Sequence, residues 1–219
     1  MASRSSARKP RASSQARIDA VLSAARLLLA QGGPAELSIY GVAEAAGIPP
    51  SSVYHFFPNV QALLTALTAR VHEAMLDALS FPGDYQPKDW QELLHQIEAR
   101  TLRVYQNDEA ARQLILSNHG LVDVQTLDRQ HDLRLSEAMA ALFQHYFVLP
   151  ALPQHLDIFD ISMQLSDRLY GLSVQRFGYI HADYAEEGYR AGLAYLGLYL
   201  PRYLPLKCQT ANTPQQNTD

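Results

Sequence analysis

Residues 38–64, SIYGVAEAAGIPPSSVYHFFPNVQALL, constrain the fold more than any other stretch of the chain. Ser38 can cap a helix by accepting a hydrogen bond from an otherwise unpaired backbone N–H. Ile39, Val42, Ala43 and Ala46 recur at helical spacing and give that helix one apolar face. Gly47 falls where the helix must stop, and glycine takes a positive φ at little cost. Pro49 biases Ile48 away from helix. Pro50 suits the first turn of a second helix, where its missing N–H leaves no bond unmade. In that helix Val53, Phe56 and Phe57 are expected inward, with Ser51, Ser52, Tyr54 and His55 outward. Pro58 closes it, and Asn59 caps a further helix from Val60. Two short helices about a glycine turn make a helix-turn-helix, whose second helix enters the major groove of DNA.

The rest of the chain divides itself into helices. Residues 17–30 place Ile18, Val21, Leu22, Ala25, Leu28 and Leu29 on one face, and Gly32-Gly33-Pro34 ends the run. The helix from Val60 to Leu79 buries Leu63, Leu64, Leu67, Val71, Met75 and Leu79. A loop with Pro and Gly, 80–88, follows. Asp89 and Glu92 form a capping box for a helix running to about residue 104, with Trp90, Leu93, Leu94, Ile97 and Thr101 inward. Asp108 opens a shorter helix that stops near Gly120. Helices over 127–147, 156–177 and 183–203 bring the total to about nine, with no strand, so the fold class is all-α. The expected division is a disordered basic arm (1–15), a helix-turn-helix domain (16–60), a helical bundle (61–205, with 61–79 as the connecting helix) and a disordered tail (206–219).

Charge is distributed unevenly along this plan. Residues 1–60 hold Arg4, Arg8, Lys9, Arg11, Arg17 and Arg26 against Asp19, Glu36 and Glu44, a net +3 in a chain of net −4. The positive end therefore lies with the helix-turn-helix and suits contact with phosphates; its first residues read as a DNA-touching arm or as a solvated tail. A single cysteine, Cys208, excludes a disulfide framework and a cysteine-rich zinc site. The most apolar run, 191–200, is too short to span a bilayer. A cytoplasmic protein without membrane contact, cofactor or metal is expected.

The Ser38-led helix, Ala46-Gly47-Ile48, the run Val53-Tyr54-x-Phe56-Phe57-Pro58 and Ala62-Leu63-Leu64 resemble the TetR family of transcriptional regulators. The resemblance covers residues 16–67. It implies an N-terminal three-helix DNA-binding domain, a C-terminal bundle that binds a small-molecule effector and forms a homodimer, and repression of a palindromic operator that the effector relieves. Two positions depart from the family pattern. Val60 stands where a phosphate-binding lysine is common, and Pro49-Pro50 stand where a serine cap and a polar residue are common.

The resemblance assigns DNA contact to Tyr54 and His55 (phosphate), Ser51 and Ser52 (base edges or backbone), Ser38 (cap and phosphate donor) and Arg17. A half-buried brace is the other reading of Tyr54. An effector inside the bundle would meet His72, Met75, Trp90, Tyr105, Phe143, Tyr146 and Arg168, with Met139 and Met163 nearby. Arg168 falls at helical spacing from Ile161, Leu165 and Leu172, and a buried arginine needs an anion, from the protein or from a carboxylate ligand. A hydrophobic, aromatic or acyl-bearing effector fits this lining. Small residues in the last helix, Gly188 and Gly192, with Tyr195, Leu196 and Tyr199, mark either a dimer interface or the protomer's own core.

An enzyme is not expected. Glu92-Leu93-Leu94-His95 has one Glu-x-x-His element where a di-iron bundle needs two. The remaining alternative is a helical adaptor that has lost DNA binding.

Overall fold

In the computed structural model each short helix near the N-terminus starts and stops at the residues whose backbone chemistry demands it; the structure describes residues 9–116 and 122–207. Helix α1 spans Lys9–Gly32, α2 Ile39–Ala46, α3 Pro50–Phe56 and α4 Val60–Ala78. Ser38 Oγ accepts from the Gly41 N–H at 3.0 Å and caps α2. Gly47, at φ 64° and ψ 31°, ends it. Its N–H bonds the Glu44 carbonyl while the Ile48 N–H reaches back to Ala43, so two carbonyls that the helix end would orphan are satisfied. Asn59 Oδ1 caps α4 through the Ala62 N–H at 2.8 Å.

The C-terminal part comprises α5 (Trp90–Asn107), α6 (Glu109–Ala111, continued by a π-helical turn over Arg112–Leu116), α7 (Val122–Tyr146), α8 (Ile158–Phe177) and α9 (Ala182–Leu196). The capping box of α5 forms with one change. Asp89 accepts from the Glu92 N–H at 2.8 Å, but the Glu92 carboxylate reaches the N–H of Lys88 at 3.0 Å. Helices α8 and α9 form a hairpin, α7 packs on α4, and α5 packs on α9. The Trp90 indole N–H, bonded to the Pro201 carbonyl at 2.9 Å, clips the start of α5 to the chain leaving α9.

Two apolar clusters hold the molecule together. The first joins Val21, Leu29, Val42, Val53 and Leu63 of the N-terminal helices to Tyr105, Ala111, Tyr170 and Val174. The second collects Trp90, Leu93, Leu94, Met139, Phe143, Phe147, Phe159 and Leu196. Helix α4 serves both, with Leu63 and Met75 in the first and Leu79 in the second.

Three expectations are corrected here. Helix α1 begins at Lys9, so of the basic arm placed at 1–15 the residues from Lys9 onward are helical; residues 1–8 lie outside the described ones. Propensity explains the extension, because Ala, Arg, Gln and Lys are all good helix formers. Helix α9 stops at Leu196 rather than Tyr203, where Gly197 and then Pro201 interrupt the ladder. The polar tail was placed from residue 206, yet Leu206 pairs with Phe147, and Pro205 and Lys207 bond the backbone of Val148 and Tyr146 at 2.8 Å. The remainder of that tail, from Cys208, lies outside the described residues, as does the expected helix end near Gly120.

Candidate nucleic-acid interface and interior cavity

Helix α3 divides its side chains between core and solvent by period. Val53 is fully buried and Phe57 nearly so, whereas Ser51, Tyr54 and His55 are exposed and Ser52 is half-buried. Tyr54 leans on Tyr40 of α2 edge to face, with ring centroids 6.2 Å apart. Tyr40 is 66% exposed, more than Tyr54 at 42%, and joins this face although the sequence reading passed it over. Its position beside Ile39, one step off the apolar stripe of α2, was the available signal. Ser38, exposed beside them, accepts the Gly41 N–H and keeps its own hydroxyl hydrogen to donate.

The nearby cations differ in how they are engaged. Arg17 is exposed on α1. Arg26 forks onto the Asp108 carboxylate, at 3.0 Å from Nε and 2.8 Å from Nη2, and so ties α1 to the first turn of α6. Arg70 on α4 pairs with Asp19 of α1 at 2.7 Å. Val60 is half-buried against the first cluster.

A cavity of about 40 Å³ lies between α4, α5, α7, α8 and the π-helical turn. His72, Met75 and Tyr105 of the expected effector set line it, and so does Met163. The others do not. Trp90, Phe143 and Tyr146 belong with Met139 to the second apolar cluster, filled by ring-on-ring packing such as Phe143 on Phe159 at 5.0 Å. Arg168 is exposed, and Leu165 and Leu172 on the same stripe are 38% and 37% exposed. The stripe faces outward from the protomer, so Arg168 lies in solvent, needs no buried anion and does not line the cavity.

Sequence reading missed the acids of this cavity: Glu98, Asp132 and Asp167 line it alongside Ser166. Tyr105 donates to Asp167 at 3.0 Å. Glu98 is 8% exposed and accepts from the Ser166 and Tyr170 hydroxyls, each at 2.8 Å. The signal was its place four residues after Leu94 and seven before Tyr105, on the inward face of α5. Burial raises its pKa, and the two hydroxyl bonds and His95 only partly oppose the rise. His72 stacks on His131 with centroids 4.2 Å apart.

The same layer accounts for the glycines of α9. A Cβ on Gly188 would lie 2.4 Å from Tyr170 Cε1, and one on Gly192 2.9 Å from Ser162 Oγ and 3.6 Å from Glu98 Oε1. Leu196 is fully buried in the second cluster. Gly188, Gly192 and Leu196 therefore close the protomer's own interior, a correction to their place in a dimer face. Tyr195 and Tyr199 are half-buried, edge to face at 5.5 Å, against that cluster.

The raised pKa of Glu98 has a consequence for stability. A carboxyl whose folded pKa exceeds its unfolded value stabilises the fold only while protonated, so its contribution is lost as pH rises above about 4.5 through the folded value. The Glu98→Gln variant is therefore expected to melt higher than the parent at neutral pH, with the gap shrinking toward pH 4. A gap independent of pH in thermal melts would contradict this assignment.

The geometry meets known proteins at two levels. Residues 21–67 match the family model described as bacterial regulatory proteins, tetR family. The whole fold resembles solved TetR-family regulators. One from Streptomyces coelicolor is 24% identical with a TM-score of 0.60, covering 84% of this chain and 98% of its own. Another, from Rhodococcus sp. RHA1, is 19% identical with a TM-score of 0.54, covering 83% and 96%. A third, from Marinobacter aquaeolei VT8, is 18% identical with a TM-score of 0.53, covering 85% and 97%. At such identities the likeness is one of fold. No curated protein matches the sequence.

Proposed function

The chain carries the N-terminal domain of the TetR family, and on that premise we propose that it represses transcription from a palindromic operator until a small molecule enters its bundle. That it is a DNA-binding transcription regulator follows at the coarser level from the family model. The exposed face of α3, with Tyr54, His55 and Ser51 turned out from a helix whose opposite side is core, is the observation that carries the finer reading. Residues 16–60 bind DNA, with Ser38, Ser52, Arg17 and Tyr40 beside those three. Residues 61–205 take the effector and a second protomer. Among the described residues no helix is long and apolar enough to cross a membrane, and the protein acts on DNA in the cytoplasm.

The cavity between α4, α5, α7 and α8 is the effector site. Cavity and DNA face are joined by α4, which lines the first with His72 and Met75 and starts at the second with Asn59 and Val60. The outward stripe of α8, with Leu165 and Leu172, is the dimer face in place of the α9 glycines. Two protomers then present two α3 helices to half-sites about 34–36 Å apart, or a multiple of that.

Selection of bound sequences from a random duplex pool by the full-length protein tests the reading: an inverted repeat is expected. A folded dimer that enriches no sequence would instead favour the adaptor alternative, which Val60 and Pro49 support. On the selected duplex, Tyr54→Ala is expected to abolish binding while leaving the dimer intact by sedimentation; tight binding by this variant would remove Tyr54 from the contact set. Val60→Lys is expected to strengthen binding and to steepen the salt dependence by about 0.9 in log K per log salt, the increment of one phosphate contact. A lysine stem can lie along the cluster that Val60 packs on and still lift its ammonium to solvent. An unchanged slope would mean that residue 60 does not face the backbone.

A further inference from the structure

We propose that the bundle cavity is built for a cationic effector: an ammonium group held by Glu98, with an apolar body lodged among Met75, Ile97, Leu135 and Met163. This rests on the reading of the cavity as the effector site. Three of its lining residues are carboxylic acids, and among the described residues neither lysine nor arginine lines it. Glu98 carries the argument. Its two oxygens take one hydroxyl bond each, from Ser166 and Tyr170. An ionised carboxylate has about four acceptor sites, so about half of its capacity remains, and hydroxyls solvate a charge without neutralising it.

A buried carboxylate is costly unless it is paired with a cation. In this fold the cost is built in. Gly188 and Gly192 keep α9 clear of Tyr170 and Glu98: a methyl at Gly188 would run into the Tyr170 ring, and one at Gly192 into the Ser162 hydroxyl, with Ser166 Oγ at 3.4 Å and Glu98 Oε1 at 3.6 Å. Burial favours the protonated form of Glu98, so an ammonium ligand competes with a proton for the same oxygens. Its affinity therefore rises with pH across the titration of that group. Among the described lining residues an anionic ligand meets three acids against the single imidazole of His72, with His95 the other imidazole facing Glu98. A cavity of about 40 Å³ admits the charged head, and the apolar body requires the lining to yield. Met75 and Met163 are the residues able to do so, because an unbranched thioether re-packs at low cost.

Three probes of similar size separate charge from hydrophobicity: 2-phenylethylamine, 2-phenylethanol and phenylacetate, titrated calorimetrically into the full-length protein near pH 7.5. The amine is expected to bind at least about tenfold more tightly than the alcohol, with phenylacetate weakest. Glu98→Gln is expected to remove that preference and leave the alcohol unchanged. Equal or better binding of the alcohol or the carboxylate, an amine affinity indifferent to Glu98→Gln, or no binding of any probe to the folded protein would each overturn the proposal. Release of the selected duplex supplies the second readout. If phenylacetate binds and releases DNA, the effector reading stands and the cationic one falls. If the amine binds through Glu98 and saturated protein stays on DNA, the cation site stands and the effector reading falls.

Discussion

Gly188→Ala is expected to destabilise the protein despite placing a better helix former in α9. Alanine would gain about 1 kcal/mol in helix propensity over glycine. Against that, its Cβ would sit 2.4 Å from Tyr170 Cε1, 2.8 Å from Cζ and 3.0 Å from the hydroxyl oxygen. The ring cannot swing aside freely. Tyr170 is 1% exposed, and its hydroxyl is anchored on Glu98 at 2.8 Å. Relief comes either from breaking that bond, which leaves a buried carboxylate short of a donor, or from parting the α8–α9 hairpin. Overpacking of this kind costs about 1–3 kcal/mol, and the broken bond adds to it. A fall in Tm of several degrees follows, at about 2–4 °C per kcal/mol for a chain of this size. Gly83, where a Cβ meets nothing within 4 Å, is the control: Gly83→Ala should leave Tm almost unchanged. Equal melting of the Gly188→Ala variant and the parent would mean that α9 does not approach Tyr170 this closely.

The second large effect belongs to the outward stripe of α8. Leu165 and Leu172 lie seven residues apart, hence on one face, and both are more than one-third exposed in the single protomer. Replacing both by aspartate puts charge on that exposed face and leaves the buried Ser162, Ser166 and Tyr170, which lie on another face of the helix, unchanged. The double variant Leu165→Asp/Leu172→Asp is expected to sediment as a monomer with parental helical content. Its affinity for a two-half-site duplex should fall about a hundredfold or more, because linked binding of the second half-site is lost. A variant that stays dimeric would place the interface elsewhere. A monomer that keeps full affinity would remove the need for a dimer on DNA.

Both predictions depend on which way α8 and α9 face, and that was not legible in the chain. Ile161, Leu165, Arg168 and Leu172 recur at helical spacing, and spacing identifies an apolar stripe without saying whether the protomer or a partner covers it. Read as inward, the stripe made Arg168 a buried charge in want of an anion. Read as outward, it leaves Arg168 in solvent. Likewise Gly188 and Gly192 announce a close approach, since small residues in a helix are costly without one, but the approaching group is Tyr170 and Ser162 of the same protomer. Glu98 was passed over for a related reason, although its spacing from Leu94 and Tyr105 put it on the inward face of α5. Beside Gln96 and Arg100 it reads as a surface residue, and what encloses it comes from far along the chain, with Ser166 and Tyr170 on its oxygens and Gly192 of α9 close by.

The N-terminal domain was legible because its determinants are local. Ser38, Gly47, Pro50 and Asn59 act on backbone groups within a few residues of themselves, so caps and turns can be read before any tertiary contact exists. The all-α class and the loop at 80–88 followed from the same short-range signals and from the period of apolar residues. What the tertiary structure alone decided is the facing of each helix, the meeting of acids from α5, α7 and α8 in one cavity, and the division of the interior into two clusters that share α4. Those depend on pairs of side chains far apart in sequence, where each residue's local pattern is compatible with more than one partner and packing selects among them.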